Sequence, residues 1–207
     1  MNIRYLFIVI MTLLASSCSK SPTELFDLAE QELKQDNSNL AINNLKLLIS
    51  KHPNDSLASK AQYKLASVYL NWEDKISPGL EALKSTVTDY PQTIHAKQAQ
   101  KEIDRFPQYL LDKGESLRKQ KKLKESVDHL MYLTNHYSNS EIAPKGQYML
   151  GDVYMNDFRD FTTAIQEYRK VIENYNGSSQ EPHALFMIGY IYANVINDTK
   201  SAKIEYE

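Results

Sequence analysis

The chain of 207 residues has few cysteines, glycines and prolines and no excess of basic residues. It has one cysteine, which excludes an internal disulfide and a CxxC-type metal site. Its six glycines and seven prolines fall at intervals, so flexible linkers and low-complexity segments are not expected. The 24 Lys and Arg are balanced by 26 Asp and Glu, giving a net charge of −2. The basic excess on which nucleic-acid binding relies is therefore absent, and nucleic acid is not expected as a partner.

Catalytic motifs are also lacking. The chain contains no HExxH, GxSxG, GxGxxG or GxxxxGK[ST] pattern, so we expect no enzyme activity, no cofactor and no small-molecule substrate. His129 and His136 lie seven positions apart on a predicted helix, but no cysteine or clustered carboxylates accompany them, and no metal site is predicted. Asp157, Asp160 and the basic residues 119–122 fall at predicted turns and are interpreted as solvated charges.

The N-terminal segment has the pattern of an export signal. A basic residue, Arg4, precedes an apolar stretch that is too short to cross a hydrocarbon core of about 30 Å. The residues LASSC at 14–18 resemble the bacterial lipobox, which implies that residues 1–17 are a lipoprotein signal peptide and that Cys18 carries acyl chains. Ser19, the residue directly after this cysteine, resembles the residue found at that position in lipoproteins of the outer-membrane class. The resemblance implies a protein anchored by lipid to the periplasmic face of the outer membrane, through a short tether of residues 18–22.

A repeated segment covers most of the remaining chain. The segment AINNLKLLISKHP, residues 41–53, recurs in recognisable form at residues 79–91, 126–138 and 164–176. Apolar or small residues at the first, second, fifth and ninth positions of each copy predict one face of a helix. Each copy ends in an aromatic residue or histidine followed by Pro, Ser or Asn, which predicts a turn. His136 is interpreted as the counterpart of the aromatic residues Tyr90 and Tyr175 before that turn.

A second pattern precedes each copy, most clearly as Leu-Gly-x-x-Tyr at residues 150–154 and Ile-Gly-x-x-Tyr at residues 188–192. The small residue in it should allow a neighbouring helix to approach closely. The distance from this small residue to the start of the second helix is one position shorter in the first and third units than in the others. A helix, a short turn and a helix fill this distance. The second helices are predicted to start at residues 41, 79, 126, 164 and 202, with the one longer interval before residue 126.

At these residues the chain resembles the tetratricopeptide repeat (TPR) family, whose period is about 34 residues. The resemblance implies an all-α fold, a right-handed α-solenoid of about five TPR helix-turn-helix units, of which the last is incomplete. We predict the solenoid over residues 23–207, with units at about 22–55, 56–92, 93–140, 141–178 and 179–207. The third unit has about ten extra residues and contains Pro107, which predicts an extended or broken first helix.

The resemblance also indicates a binding surface, because the first helix of each TPR unit lines the concave groove. Five equivalent positions on these helices, and one further position in the last unit, are candidate partner-binding residues: Phe26, Tyr63, Leu111, Tyr148, Phe186 and Tyr190. An exposed series of aromatic rings could hold an extended peptide or a partner helix. The same residues could instead form the core between repeats, and both interpretations remain open at this stage.

The lipobox, Ser19 and the repeats that follow directly resemble the BamD (YfiO-like) lipoproteins of the outer-membrane protein assembly machine. The resemblance implies a non-catalytic scaffold that binds envelope proteins or extended peptides during assembly of β-barrel proteins. One alternative is a periplasmic TPR factor of the Tol-Pal and cell-division type, although the coiled coil usual there is not visible. A pilus-assembly lipoprotein is another. An envelope hydrolase is the alternative of a different class, and it would need paired carboxylates in a cleft.

Overall fold

The computed structural model describes residues 20–206, and these residues form two compact units. The N-terminal unit comprises residues 20–103 and the C-terminal unit residues 104–206. Cys18, with the predicted signal peptide and lipid attachment, lies outside the described residues. None of the helices in residues 20–206 has the length and apolar character needed to span a bilayer.

The described residues contain eleven α-helices. The N-terminal unit holds α1 (Pro22–Lys34), α2 (Ser38–Lys51), α3 (Ala58–Asn71), α4 (Ile76–Asp89) and α5 (Ile94–Asp104). The C-terminal unit holds α6 (Phe106–Lys119), α7 (Leu123–His136), α8 (Ala143–Val153), α9 (Phe161–Asn174), α10 (Glu181–Ile191) and α11 (Thr199–Tyr206). A π-helical turn continues α8 over Tyr154–Phe158, and another continues α10 over Tyr192–Ile196.

These helices pack sequentially in pairs, which confirms the prediction of an all-α, TPR-type helical solenoid. The pairs are α1 with α2, α3 with α4, α6 with α7, α8 with α9 and α10 with α11. Within each unit, the second helix of a pair also packs against the first helix of the next pair. The helices that lie between two others bury their apolar stripes against both neighbours in this way, as expected of a repeat whose single units cannot bury them alone.

The helices begin and end where local sequence favours it. A capping box starts α1, since the Glu24 backbone N–H donates to Ser21 Oγ (3.2 Å) and the Ser21 backbone N–H donates to Glu24 Oε2 (2.7 Å). Four second helices are each followed by an aromatic residue or histidine as the C-cap: His52, Tyr90, Tyr137 and Tyr175. The assignment of His136 to this position is therefore wrong by one residue. His136 is the last residue of α7, and its ring lies tilted against that of Tyr132 (centroids 4.2 Å apart).

The buried face of the second helices differs by one position from the predicted one. The first, second and fifth positions of the repeated segment are buried, as the pattern indicates, but the fully buried fourth contact is the eighth residue and not the ninth. The eighth residues are Leu48, Thr86, Leu133 and Val171. Because about 3.6 residues make one turn, a residue seven positions after the first stays closer to its face than one eight positions after it.

The shorter and the longer spacing between the small residue and the second helix correspond to two ways of closing the turn inside a repeat. In the first and third pairs, the last hydrogen bond of the turn joins a backbone N–H to the carbonyl oxygen five residues earlier. These bonds run from Asn37 to Glu32 (2.9 Å) and from Lys122 to Leu117 (3.0 Å). In the other pairs this bond reaches six residues back, as from Asp160 to Tyr154 (2.9 Å). The additional residue is accommodated as a π-helical turn in α8 and α10.

Each of these turns contains one residue with a left-handed backbone conformation. These residues are Asp36, Asp74, Lys121, Arg159 and Asn197, with φ between 52° and 62°. Each of them lies five positions before the start of its repeated segment, at residue 41, 79, 126, 164 or 202. The left-handed residue is therefore at the same place relative to the second helix in all five pairs, whichever of the two hydrogen bonds closes the turn. Lys and Arg are unfavourable in this conformation, in which a side chain costs about 1 kcal/mol or more.

The turn geometry predicts that Arg159→Gly stabilises the C-terminal unit. Glycine removes the steric cost of φ 59° at an exposed position, and we expect a gain of about 0.5–1 kcal/mol in the free energy of unfolding. The measurement is chemical denaturation followed by circular dichroism. Arg159→Ala is the control, because alanine keeps the steric cost. Equal stability of the two variants would contradict the assignment.

The predicted irregularity of the third unit is a break between two helices. α5 ends at Asp104 and α6 begins at Phe106, with Pro107 in the first turn of α6. Proline is tolerated there because the backbone N–H groups of a first turn have no acceptor within the helix, so the N–H that proline lacks is not needed. The additional residues therefore form a complete helix, α5, that precedes the third pair.

The small residues of the first helices allow close packing, as predicted. A Cβ atom at Gly151 of α8 would lie 2.5 Å from Cδ1 of Tyr168 on α9. Gly114 of α6 faces Leu130 of α7 in the same way, at 3.0 Å. The aromatic ring of Tyr168 thus occupies the space that a side chain at residue 151 would need.

Candidate protein-binding surfaces

In the N-terminal unit, side chains of α1, α3 and α5 meet on one surface, which we call the N-terminal aromatic surface. It comprises Phe26, Lys60, Tyr63, His95 and Glu102. Phe26 is only 7% exposed, and the Lys60 ammonium lies 4.4 Å from the centroid of its ring. The cation covers the face of the ring, so Phe26 is part of the packing below the surface. It offers little area to a partner.

Tyr63 is the partly exposed aromatic residue of this surface. Its hydroxyl donates a hydrogen bond to the Glu102 carboxylate, and its ring centroid lies 6.1 Å from that of His95. Partial burial, together with the bond to Glu102, raises the pKa of Tyr63 to about 12. The phenol therefore remains a neutral donor at physiological pH, and α3 is joined to α5.

His95 is held beside Tyr63 by α3. Its Nδ1 lies 3.0 Å from Oγ of the buried Ser59. Burial lowers the pKa of His95, and the neighbouring Lys60 ammonium lowers it further. The ring is consequently neutral near pH 7 and presents a flat, uncharged edge next to the phenol.

A similar Tyr and His pair occurs in the C-terminal unit. Tyr148 of α8 is the counterpart of Tyr63, and its ring centroid is 6.2 Å from that of His183 on α10 and 5.3 Å from that of Tyr168. Tyr148 is partly buried, which raises its pKa. In both units, therefore, a tyrosine on the first helix of a repeat contacts a histidine on the helix that follows that repeat.

Phe186 and Tyr190 are the exposed aromatic pair of the C-terminal unit. They lie one helical turn apart on α10, with ring centroids separated by 6.4 Å, and are 56% and 40% exposed. Adjacent large aromatic rings with this exposure are the kind of side chain that dominates protein interfaces.

The six candidates therefore do not form one exposed series. Leu111 is 2% exposed, because α6 packs against both α7 and α8 and buries it next to Leu110. Together with Phe26, it belongs to the core. Phe186 and Tyr190 are exposed, while Tyr63 and Tyr148 are intermediate. Four of the residues are therefore exposed or partly exposed, and two lie in the core.

Asp157 and the basic residues near it form an ion-pair cluster and not separate solvated charges. Asp157 Oδ2 accepts from Arg118 Nε (2.6 Å), and its Oδ1 accepts from Lys121 Nζ (3.0 Å). The side chain of Asp157 is 8% exposed, and these two cations lower its pKa against the opposing effect of burial. Asp160 caps α9 by accepting from the Thr163 backbone N–H (3.0 Å). The carboxylate pair considered from the sequence therefore has structural roles.

Two buried glutamines join the helices of their pairs and were not predicted from the sequence. Gln62 and Gln147 occupy equivalent positions on α3 and α8 and donate from Nε2 to backbone oxygens of their own second helices, Ala82 (3.4 Å) and Glu167 (3.1 Å). Gln147 also donates to the Glu167 carboxylate (2.7 Å). Each glutamine directly precedes a candidate tyrosine, and this repeated Gln-Tyr pair was the signal that could have identified them.

The remaining predicted polar sites are part of the packing. His129 is 1% exposed, with its Nδ1 2.9 Å from the Glu125 backbone oxygen, and residues 20–206 contain no group of three or more His, Cys, Asp or Glu placed to hold a metal ion.

A cleft of about 490 Å³ lies between α7, α8 and α9, lined among others by Asn135, Gln147 and Lys170.

Burial raises the pKa of Asp152, whose Oδ1 accepts from the Tyr168 hydroxyl (2.7 Å). A carboxyl whose pKa is higher in the folded state binds protons more tightly there, so it costs stability as pH rises from the unfolded value of about 3.9. We expect Asp152→Asn to raise the melting temperature at pH 7, with the difference vanishing near pH ~3.5. Differential scanning fluorimetry across pH measures this. Asp128→Asn, at an exposed position, should show no such gain, and a loss at pH 7 in Asp152→Asn would contradict the account.

Comparison with known proteins identifies the repeats. Residues 60–93 and 146–178 match the family model described as tetratricopeptide repeat. These segments correspond to the pairs α3 with α4 and α8 with α9. These two segments therefore match tetratricopeptide repeats, which typically form non-catalytic scaffolds for protein–protein interaction.

Several solved structures are similar at low identity. A structure of MamA is 17% identical, over 86% of this chain and 90% of that chain, with a TM-score of 0.40. MamA of Desulfovibrio magneticus RS-1 is 15% identical over 91% and 92%, with a TM-score of 0.36. TPR-like repeats of a Podosopora anserina kinesin light chain are 14% identical over 91% of this chain and 94% of that chain, with a TM-score of 0.40. None of the curated proteins compared with the chain matches it.

Proposed function

We propose that this tetratricopeptide-repeat chain is a non-catalytic scaffold lipoprotein of the bacterial envelope. It binds extended segments of envelope proteins through the first helices of its repeats, and its setting is outer-membrane β-barrel assembly, as in the BamD (YfiO-like) lipoproteins. Acyl chains on Cys18 hold it to the periplasmic face of the outer membrane. No nucleic acid takes part.

The observation that carries the proposal is the position of Cys18. The only cysteine of the chain follows Leu14, Ala15, Ser16 and Ser17, and it lies four positions before Pro22, the first residue of α1. Acylation there would place the first repeat next to the membrane surface. Two acyl chains suffice for stable attachment, since each buried methylene contributes about 0.8 kcal/mol.

The binding half of the proposal is supported by Phe186 and Tyr190, with Tyr63 as the partly exposed counterpart in the N-terminal unit. Tyrosine and phenylalanine provide large contact area for little loss of rotamer freedom. The hydroxyl of tyrosine also suits a surface that is wet before the partner binds. An extended peptide segment with apolar side chains, of the kind an unfolded β-strand offers, fits such a surface.

Metabolic labelling with a palmitate analogue tests the anchor. We expect the wild-type protein to be labelled and to fractionate with the outer membrane, and the Cys18→Ala variant to be unlabelled and released. Cys18→Ser is the matched control, because it retains a small polar side chain but cannot form the thioether of a lipoprotein. Absence of label on the wild-type protein would contradict the lipoprotein proposal while leaving the repeat scaffold intact.

A further inference from the structure

The turns inside the three helix pairs of the C-terminal unit follow one another along one edge of that unit, because the pairs pack in sequence. We call the residues of these turns, 118–124, 157–160 and 196–200, the turn edge. Lys121 of the first turn reaches Asp157 of the second (Nζ to Oδ1, 3.0 Å), which joins two of the turns directly. The left-handed residues Lys121, Arg159 and Asn197 mark equivalent points along it.

Two apolar side chains are exposed on the turn edge. Phe158 and Ile196 are the residues immediately before the left-handed positions of the second and third turns, and are 45% and 49% exposed. The ring of Phe158 is supported by Tyr154 (centroids 5.5 Å apart). These side chains lie at the ends of helices, in turns, and not on a helix face that another helix of the repeat would cover.

The turn edge is strongly cationic. Its three segments carry seven Lys and Arg side chains and three carboxylates. The carboxylates are engaged locally: Asp157 with Arg118 and Lys121, and Asp160 and Asp198 as caps that accept from the Thr163 and Ser201 backbone N–H groups (both 3.0 Å). Lys122, Lys124, Arg159 and Lys200 are exposed in the same turn segments.

The corresponding turns of the N-terminal unit lack this charge. Residues 34–37 and 72–75 carry two lysines and three carboxylates, although Trp72 there is also 45% exposed. The combination of exposed apolar tips and a cationic surround is therefore a property of the C-terminal unit, and the repeat pattern by itself does not require it.

We infer that the turn edge docks on an anionic phospholipid surface. Lys and Arg side chains are attracted to the negative headgroups, and Phe158 and Ile196 enter the boundary between headgroups and acyl chains, as amphipathic membrane-surface elements do. This inference rests on the proposed envelope function for its setting. It adds a second membrane contact, far along the chain from Cys18, that would fix the orientation of the C-terminal unit on the membrane.

Vesicle flotation of the mature chain from residue 18, carrying Cys18→Ala, tests the inference without any acyl group. We expect binding to vesicles of phosphatidylcholine with phosphatidylglycerol, little binding to phosphatidylcholine alone, and loss of binding at high salt. The triple variant Lys122→Gln, Lys124→Gln, Arg159→Gln should lower the partition coefficient about 100-fold, at about fivefold for each cation. The control neutralises Lys84, Lys97 and Lys101 of the N-terminal unit, which are also exposed, and should change it little.

The apolar tips are tested separately. Phe158→Ser and Ile196→Ser should each lower the partition coefficient about tenfold, whereas Leu40→Ser, at an exposed leucine on α2, should not. Equal binding to both vesicle types, or equal losses in the two triple variants, would overturn the inference. If binding requires the cations but not Phe158 or Ile196, the inference that these two side chains enter the membrane would be overturned. Because no acyl group is present, failure here is distinguishable from failure of Cys18 labelling.

Discussion

Tyr168→Ala is expected to lower the free energy of unfolding of the C-terminal unit by about 4 kcal/mol, the cost typical of removing a fully buried aromatic ring. Tyr168 is 0% exposed and lies in a core cluster with Ala164, Ile188 and Ile191. Its ring fills the space beside Gly151, so the substitution leaves a cavity between α8 and α9. It also removes the hydroxyl that donates to the partly buried Asp152 carboxylate. Urea unfolding followed by circular dichroism measures the loss.

Two variants separate the causes of this loss. Tyr168→Phe keeps the ring and removes only the hydrogen bond to Asp152, so we expect a smaller loss of about 1–2 kcal/mol. Tyr190→Ala removes a tyrosine that is 40% exposed and should cost less than about 1 kcal/mol. A loss below about 1 kcal/mol for Tyr168→Ala would show that α8 and α9 are not packed through this ring.

The double variant Phe186→Ala, Tyr190→Ala is expected to reduce capture of the envelope partner at least thirtyfold. Each ring is exposed, and interface residues of this type cost about 2 kcal/mol or more when removed from the centre of a contact. The stability of the C-terminal unit should change by less than about 1 kcal/mol, because the rings bury little area in the free protein. Crosslinking in isolated envelopes, followed by quantitative recovery of the partner, measures the change.

The control for this variant is a pair of equally exposed apolar side chains on second helices. Leu40→Ala on α2 and Met131→Ala on α7 remove residues that are 50% and 44% exposed. They should leave capture unchanged, because second helices do not line the proposed surface. If the control variants lowered capture as much as Phe186→Ala, Tyr190→Ala, the partner would bind to the other side of the repeats.

The sequence was sufficient for the repeat architecture because its signals are local. Helix spans follow from apolar periodicity, and the ends of the second helices follow from residues such as Tyr90 and Tyr175 that precede a turn. Even the one-position difference in spacing between the units has a structural counterpart, because the turn closes over six residues instead of five in the longer units, two of which contain a π-helical turn. Pro107 also predicted correctly that the first helix of the third unit would be interrupted.

The exposure of the candidate residues could not be obtained in the same way. Side chains at equivalent positions of the first helices point in equivalent directions. Their exposure, however, depends on which side chains of the neighbouring helices cover them. Lys60 of α3 covers Phe26, and the packing of α6 against α7 and α8 buries Leu111, whereas Phe186 remains exposed. These are contacts between side chains distant in sequence, and no periodic pattern encodes them.

The charges at the turns illustrate the same limit. Asp157 and the basic residues 119–122 belong to turns of different repeats, and a reading of each turn alone assigns them to solvent. The stacking of the repeats brings Arg118 and Lys121 to Asp157 and buries the carboxylate. His136 was assigned one position too early because it and Tyr137 are both aromatic, and only the helix end distinguishes them.

Site-specific photocrosslinking in cells tests most directly whether the first helices bind envelope proteins. A benzophenone amino acid is placed at residue 186 or 190, and at residue 40 or 131 as the control, and the adducts are identified by mass spectrometry. We expect adducts with β-barrel assembly proteins or their unfolded substrates from residues 186 and 190 only. Adducts formed only from residues 40 and 131, or only with Tol-Pal or pilus components, would contradict the account.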